Sequence, residues 1–420
     1  MTDSPSRIGF ISTRFAGTDG VSLETEKWAQ ILAEMGHDCF YFCGECDRPE
    51  DRVMVVPEAH FTHPDITTIN EDLFDDYQRS SKTTGMVQAL RFHLKQHLYQ
   101  FIETFDINVI IVENALSIPM NVPLGLALTE LIAETHIPTI AHHHDFSWER
   151  SRYAVTASGD YLRAAFPPTL PSIRHVVINS FAARQMALRT GESSTLIPNV
   201  MDFDNPPPPK DAYTSQLREA LGIGPDQTFL LQPTRIVPRK RIELAIELAH
   251  RVNSDAVLVI THKSGDEGSA YEQRLKDYAQ ILGVKVIFGS DKVNHYRGEF
   301  ADGKPIFSLA DAYQEADLVT YPSTIEGFGN AFLETMYYQK PIVISTYEIF
   351  KTDIQPKGFE VIGFDDFIEE ATVTQAKEIL NNPSEATRMV THNYALGLKH
   401  YSFENLKRKI SSVLYDTLGA

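Results

Sequence analysis

Short runs of β-branched and apolar residues alternate along this chain with longer segments whose apolar residues recur every three to four positions. That alternation is the pattern of parallel strands joined by crossover helices. In the first half the apolar runs predict strands at 7–13, 38–43, 53–56, 109–113, 139–142, 175–179 and 195–198. Helical periodicity predicts helices at 22–35, 82–104, 125–135 and 181–188, with Ser22 placed to cap the first and Gly36 to stop it. The second half repeats the scheme, with strands expected at 228–232, 256–261, 284–288, 318–321 and 341–345. Ile242, Ala245, Ile246, Ala249 and Val252 form one apolar helical stripe between the first two of these. The fold class is therefore α/β, with two doubly wound parallel-sheet domains. Asn205-Pro206-Pro207-Pro208-Pro209-Lys210 cannot be helical and reads as stiff extended chain, which puts the domain boundary between residues 204 and 205. Such sheets bind ligands at the C-terminal ends of their strands, so two in tandem are expected to face each other across a cleft and to suit a two-substrate enzyme.

Composition narrows the partners. The 420 residues are 43% hydrophobic and 22% charged, with a net charge of −18. So acidic a surface repels nucleic-acid phosphates and anionic lipid headgroups, and neither nucleic acid nor a stable membrane association is expected. No apolar run reaches the roughly 20 residues that span a bilayer; the longest, 122–133, contains Pro123 and Thr129. The first seven residues lack the basic and apolar regions of a signal peptide, and three cysteines in one cluster, Cys39, Cys43 and Cys46, read as reduced thiols of a cytoplasmic protein. Cys43-Gly-Glu-Cys46 has no second CxxC to complete a metal site, so a structural reading is preferred to a metal or redox one. The sequence leaves the oligomeric state open.

The densest chemistry lies in Tyr321-Pro-Ser-Thr-Ile-Glu326-Gly-Phe328-Gly329-Asn330-Ala331-Phe-Leu-Glu334. A strand ends at Tyr321, a glycine-containing loop follows, and a helix begins near Asn330, so backbone amides and a helix N-terminus favour an anion such as a diphosphate. Glu326 and Glu334 bracket that site with carboxylates able to accept paired hydrogen bonds from vicinal diols. Upstream, Arg235-Ile-Val-Pro-Arg239-Lys240-Arg241 places basic residues at a helix start, against the dipole, where a charged ligand would justify them.

The Glu326-x7-Glu334 block resembles the signature of retaining glycosyltransferases of family 4, which have the GT-B fold of two Rossmann-like domains, and Arg235-x4-Lys240 resembles the family's diphosphate-neutralising pair. The resemblance implies a hexose transferred from a nucleoside-diphosphate sugar with retention of configuration and no metal or other cofactor, the cations replacing Mg²⁺. By the same resemblance Glu326 would contact donor-sugar hydroxyls, Phe328, Gly329, Asn330 and Ala331 would hold the donor through loop amides, and Glu334 would bind the ribose. Residues 1–204 would then bind the acceptor and 205–399 the donor, with Tyr401-Ser-Phe403 in a C-terminal segment, 400–420, that crosses back to the first domain.

Ala141-His142-His143-His144-Asp145 follows a strand of the first half. Three consecutive strand residues point to alternating faces and cannot easily converge on one ion, so no metal is expected there. The resemblance assigns a donor-sugar contact to His144, with His143 the runner-up. Arg150 and Arg152 read either as bidentate ligands of an anionic acceptor or as salt-bridge partners. Arg14, Gly17 and Gly20 lie in a loop that resembles the glycine loop of GT-B enzymes, where acceptor and donor meet. The acceptor expected first is fructose 6-phosphate with UDP-glucose as donor, as in sucrose-phosphate synthase. The alternatives are mannosyl or glucosyl transfer to a glycerate-type or polysaccharide acceptor, or nucleotide-sugar epimerisation.

Overall fold

Seven apolar runs in the N-terminal half pair side by side in a single sheet. Residues 5–17, 19–263 and 270–419 are described by a computed structural model. The strands are β1 (Arg7–Ile11), β2 (Asp38–Cys43), β3 (Val53–Val55), β4 (Val109–Glu113), β5 (Thr139–His143), β6 (Ile173–Val177) and β7 (Ser194–Leu196). All are parallel, in the order β3-β2-β1-β4-β5-β6-β7. The connections carry α1 (Gly20–Glu34), α2 (Pro64–Leu73), α3 (Ser81–Phe105), α4 (Val122–Thr135), α5 (Gly159–Ala165) and α6 (Ser180–Thr190). Strand alternation sorts the core: Phe40 and Phe42 of β2 pack with α3 and α4, whereas Tyr41 and Cys43 pack with Trp28, Ile31 and Leu32 of α1. Each such fully buried large side chain contributes about 1.5–3 kcal/mol.

The second sheet is built from β8 (Phe229–Gln232), β9 (Val257–Ile260), β10 (Lys285–Phe288), β14 (Leu318–Tyr321), β15 (Ile342–Ser345) and β16 (Ile362–Phe364), with β11 (Val293–Asn294), β12 (Gly298–Glu299) and β13 (Pro305–Ser308) forming a small separate sheet. Its parallel order is β10-β9-β8-β14-β15-β16. The helices are α7 (Leu217–Ala220), α8 (Ile242–Val252), α9 (Ala270–Leu282), α10 (Leu309–Glu315), α11 (Asn330–Tyr337), α12 (Glu370–Asn381) and α13 (Pro383–Tyr401). The apolar stripe of α8 packs against Val373, Ala376 and Ile379 of α12.

The chain divides into two units, Met1–Val200 with Phe403–Ala420, and Met201–Ser402. The last helix, α14 (Phe403–Leu418), belongs to the first unit, where Leu406, Ile410 and Val413 pack in the same cluster as Trp28 and Ile31 of α1. In each sheet the strand order reverses at one point, between β1 and β4 and between β8 and β14. The crevice outside the strand ends at that point is where doubly wound sheets hold ligands. Among the described residues no helix is long and apolar enough to cross a membrane.

Local details depart from the sequence reading. The first helix is capped by Asp19, not Ser22: the Asp19 carboxylate accepts from the Val21 and Ser22 amides at 3.1 and 3.2 Å and from Ser22 Oγ at 2.7 Å. A carboxylate at a helix N-terminus adds the favourable dipole interaction that a serine lacks. Strand β6 ends at Val177 because Asn179 is already the cap of α6, accepting from the Ala182 amide at 2.7 Å.

Candidate active site

In the second unit the loops after β8 and β14 flank the point of strand reversal, and they are tied together. Val237 is extended and Pro238–Lys240 forms a single 3-10 turn that turns the Lys240 side chain inward. Lys240 Nζ forms a short ion pair with Glu326, and both side chains are almost fully buried. The Arg239 guanidinium lies 3.7 Å from the second Glu326 oxygen and donates to the Ile325 carbonyl at 3.2 Å. The Thr324 amide and Oγ1 both donate back to the Arg239 carbonyl at 3.0 Å. Burial pulls the Lys240 ammonium below its ordinary range, with the Glu326 charge opposing it. For Glu326, burial would raise the carboxyl, but the charges of Lys240 and Arg239 prevail and lower it. Arg235 is exposed at the same loop; the Val237 amide donates to its carbonyl at 3.1 Å, and no described residue gives its guanidinium a hydrogen bond or ion pair.

The next turn delivers the helix start. Tyr347 Oη donates to the Phe328 carbonyl at 2.6 Å, and the Phe328 ring is buried against Tyr401. Gly329 sits at φ +112°, and a Cβ there would come within 2.4 Å of Tyr347 Oη, so only glycine fits. Asn330 and Ala331 open α11, and Glu334, half-buried one turn later, accepts from the fully buried Tyr313 hydroxyl at 2.8 Å. His262, just past β9, was not singled out in the sequence; its imidazole is held neutral, with a pKa lowered to about 4, by burial and by the charges of Lys240 and Arg235.

In the first unit the strand ends β4 and β5 form a second buried polar cluster. His142 and His144 lie on one face and His143 on the other, as strand alternation requires. His142 Nδ1 and His144 Nε2 both donate to the Glu113 carboxylate, at 3.0 and 2.9 Å. Burial would raise the Glu113 carboxyl, yet the two imidazoles lower it to about 2. Burial opposes charge on His144, and the Glu113 carboxylate outweighs it and raises its pKa. His143 Nε2 instead meets His175 Nδ1 at 2.9 Å inside the core. The sequence argument weighed only three consecutive histidines; the fold brings two of them to a carboxylate from the neighbouring strand, with ligand-capable atoms within 4.8 Å of one another. Those atoms could hold a metal ion, and here they are engaged in hydrogen bonds to one another.

Residues 214–395 match the family described as Glycosyl transferases group 1. The chain is 32% identical to the mannosylglucosylglycerate synthase of Thermotoga maritima, covering 96% of this chain and 99% of that one. A second enzyme of that name, from Petrotoga mobilis, is 34% identical over 84% of this chain and 86% of its own. The chain belongs to the group 1 glycosyltransferases. Among solved structures it is similar in fold to a glycosyltransferase from Rickettsia africae (TM-score 0.68, 13% identity, 98% and 99% of the two chains). The sucrose-phosphate synthase of Thermosynechococcus elongatus is similar too (TM-score 0.65, 15% identity, 98% and 99%). The fold is therefore GT-B, in agreement with the two parallel sheets.

The remaining predicted positions of this glycosyltransferase are distributed around β1 and β5. Arg14 pairs with Asp19 at 3.1 Å and lies over the Phe61 ring; the Gly17 amide donates to Asp47 Oδ2 at 2.9 Å; Gly20 is the exposed first residue of α1. Thr18, in the same loop, lies outside the described residues. Arg150 forms a salt bridge with Asp145, one of the two roles its sequence left open, whereas Arg152 is exposed and stacks over Tyr153 at 4.6 Å.

Two outcomes follow from these pairings. Lys240→Met leaves the Glu326 carboxylate buried with a weaker partner, so thermal unfolding should show a loss of about 3–5 kcal/mol, part of which Lys240→Met/Glu326→Gln recovers; an unchanged melting temperature in the single variant contradicts the pairing. Burial lowers His143 well below its usual value and His175 to about 4. Depressed histidines contribute stability that is fully present above about 6.5 and is lost as pH falls toward the folded values. Melting temperature should therefore decline from pH 6.5 to 4, and His175→Gln should flatten that decline; equal slopes in the two proteins contradict it.

Proposed function

We propose that this glycosyltransferase moves a mannosyl unit from a nucleoside-diphosphate sugar to glucosylglycerate, with retention of configuration and without a metal, as a family 4 enzyme. The observation that supports this most is the end-to-end likeness to the mannosylglucosylglycerate synthase of Thermotoga maritima. Fructose 6-phosphate, the acceptor expected first, gives way to the glycerate-type alternative, because the sucrose-phosphate synthase likeness is one of fold alone. Glucosylglycerate is a small anion, in keeping with an arginine such as Arg152 near its site and with the absence of a membrane-crossing helix among the described residues.

In this reading the second unit binds the donor. Arg235, exposed at the loop, meets the diphosphate first, and Lys240 shares its charge between Glu326 and the departing phosphate. Amides of Phe328, Gly329, Asn330 and Ala331 add donors at a helix start, Glu334 takes the ribose, and Glu326 orients the sugar hydroxyls. The first unit supplies His144 to the sugar, Gly20 toward the donor, and Arg14, Gly17, Arg150 and Arg152 to the acceptor. The acceptor hydroxyl attacks from the face the leaving group departs, its proton passes to a leaving phosphate oxygen, and no protein nucleophile is needed. Cations do the work that Mg²⁺ does elsewhere. The protein would act in the cytoplasm.

A donor-by-acceptor screen for released nucleoside diphosphate, run in EDTA, tests the reading. GDP- and UDP-hexoses are crossed with glucosylglycerate, glucosyl-3-phosphoglycerate, glycerate and fructose 6-phosphate. The expected result is the highest kcat/KM for a mannosyl donor with glucosylglycerate. A preference for fructose 6-phosphate, or turnover that vanishes in EDTA, contradicts it.

A further inference from the structure

Glu113 is not a residue that the sequence singles out, yet the histidines at the strand ends of the first unit are organised around it. It closes β4 beside the point of strand reversal and has no exposed surface. A carboxylate so placed is costly unless its lone pairs are filled. Its Oε2 accepts from His144 Nε2 at 2.9 Å and from His142 Nδ1 at 3.0 Å. The next residue, Asn114, accepts the His144 amide at 2.8 Å and donates to Asp145 at 3.1 Å, so the backbone that carries the ring is fixed from the same strand end. His144 Nε2 is thereby the protonated nitrogen facing the carboxylate, and no described residue hydrogen-bonds Nδ1.

We propose that Glu113 is a positioning residue: by accepting the hydrogen bond from Nε2–H it fixes the tautomer and ring orientation of His144, so that Nδ1 is the nitrogen presented to the donor hexose. This rests on the reading of the chain as a hexosyltransferase with His144 at the sugar. The surroundings act in the same sense. Glu24 of α1, paired with Lys27 at 2.9 Å, and Asp145, held by Arg150, are the other carboxylates whose charges bear on His144. Trp28 covers the His142 ring at 4.5 Å, and His143 with His175 occupies the opposite face of β5. A ring gripped on one nitrogen by an ionised, buried acceptor has one orientation and one outward nitrogen, which is what a sugar-orienting contact requires.

The test is a double-variant cycle. Glu113→Gln presents an amide that can donate to Nε2 and so favours the wrong tautomer. It should lower kcat at least tenfold while donor KM stays within threefold, a split that loosened packing would not produce. His144→Gln should lower kcat similarly, and Glu113→Gln/His144→Gln should lie within twofold of His144→Gln alone, because the carboxylate acts through the ring. Glu113→Asp keeps the acceptor and should recover part of kcat; if Glu113→Gln does not fold, Glu113→Asp with and without His144→Gln carries the same comparison. The proposal is overturned if Glu113→Gln keeps kcat within twofold, or if the two losses multiply in the double variant. It also falls if wild-type activity vanishes in EDTA and returns with Zn²⁺, since the cluster would then be a metal centre. Wild type that transfers no hexose in the screen above sinks the functional reading instead, whereas an active wild type with an indifferent Glu113→Gln sinks this inference alone.

Discussion

Lys240 and Glu326 are opposite charges buried together where the loops of two adjacent strands meet, and the geometry of the second unit's site follows from that pair. Taking both charges out of water costs several kcal/mol, and two apolar residues would join the loops with less penalty. In the proposed reading, what apolar residues could not do is receive a phosphate. The pair holds a cation and a carboxylate at the mouth of the crevice, in a setting where the cation is already partly desolvated. Around it the loop is clamped by Arg239 and Thr324, and the chain turns through Gly329 under Tyr347 into the start of α11.

The first unit solves a comparable problem with a different pair of elements. There the buried carboxylate is Glu113, and the positive partners are imidazoles rather than an ammonium. Both clusters sit at the C-terminal ends of parallel strands next to the reversal of strand order, where the sheet leaves a crevice and helix starts point their amides. Each unit is built as a doubly wound sheet, and each places one buried charge cluster at the same topological point.

Much of this was legible in the sequence because the signals were local. The strands at 38–43, 109–113 and 318–321 and the helix at 242–252 appear within those bounds, since long apolar runs and a clean stripe leave little freedom. Glu326, Glu334 and Lys240 stood out because two carboxylates bracket a glycine loop and a helix start, and because a cation set against a helix dipole asks for a partner. Glu113 did not, because a glutamate closing an apolar strand looks solvated until the neighbouring strand brings histidines to it. Alternation correctly separated His143 from His144, but the partner that unites His142 with His144 lies 29 residues before His142. The strands β11, β12 and β16, two or three residues long, are too short for periodicity to register. Asp19 displaced Ser22 as a cap because the helix starts two residues earlier than its apolar pattern.

The family fixes the reaction as glycosyl transfer, and the central claim is narrower: the donor diphosphate is neutralised by side chains of the loop after β8 rather than by a metal ion. The most direct measurement is a crystal structure of the protein with a nucleoside diphosphate, grown in EDTA. The account predicts phosphate oxygens within hydrogen-bond distance of Arg235 and Lys240 and of the amides that begin α11. A diphosphate bound elsewhere, or one that binds only when a divalent ion bridges it to a carboxylate, would contradict the account.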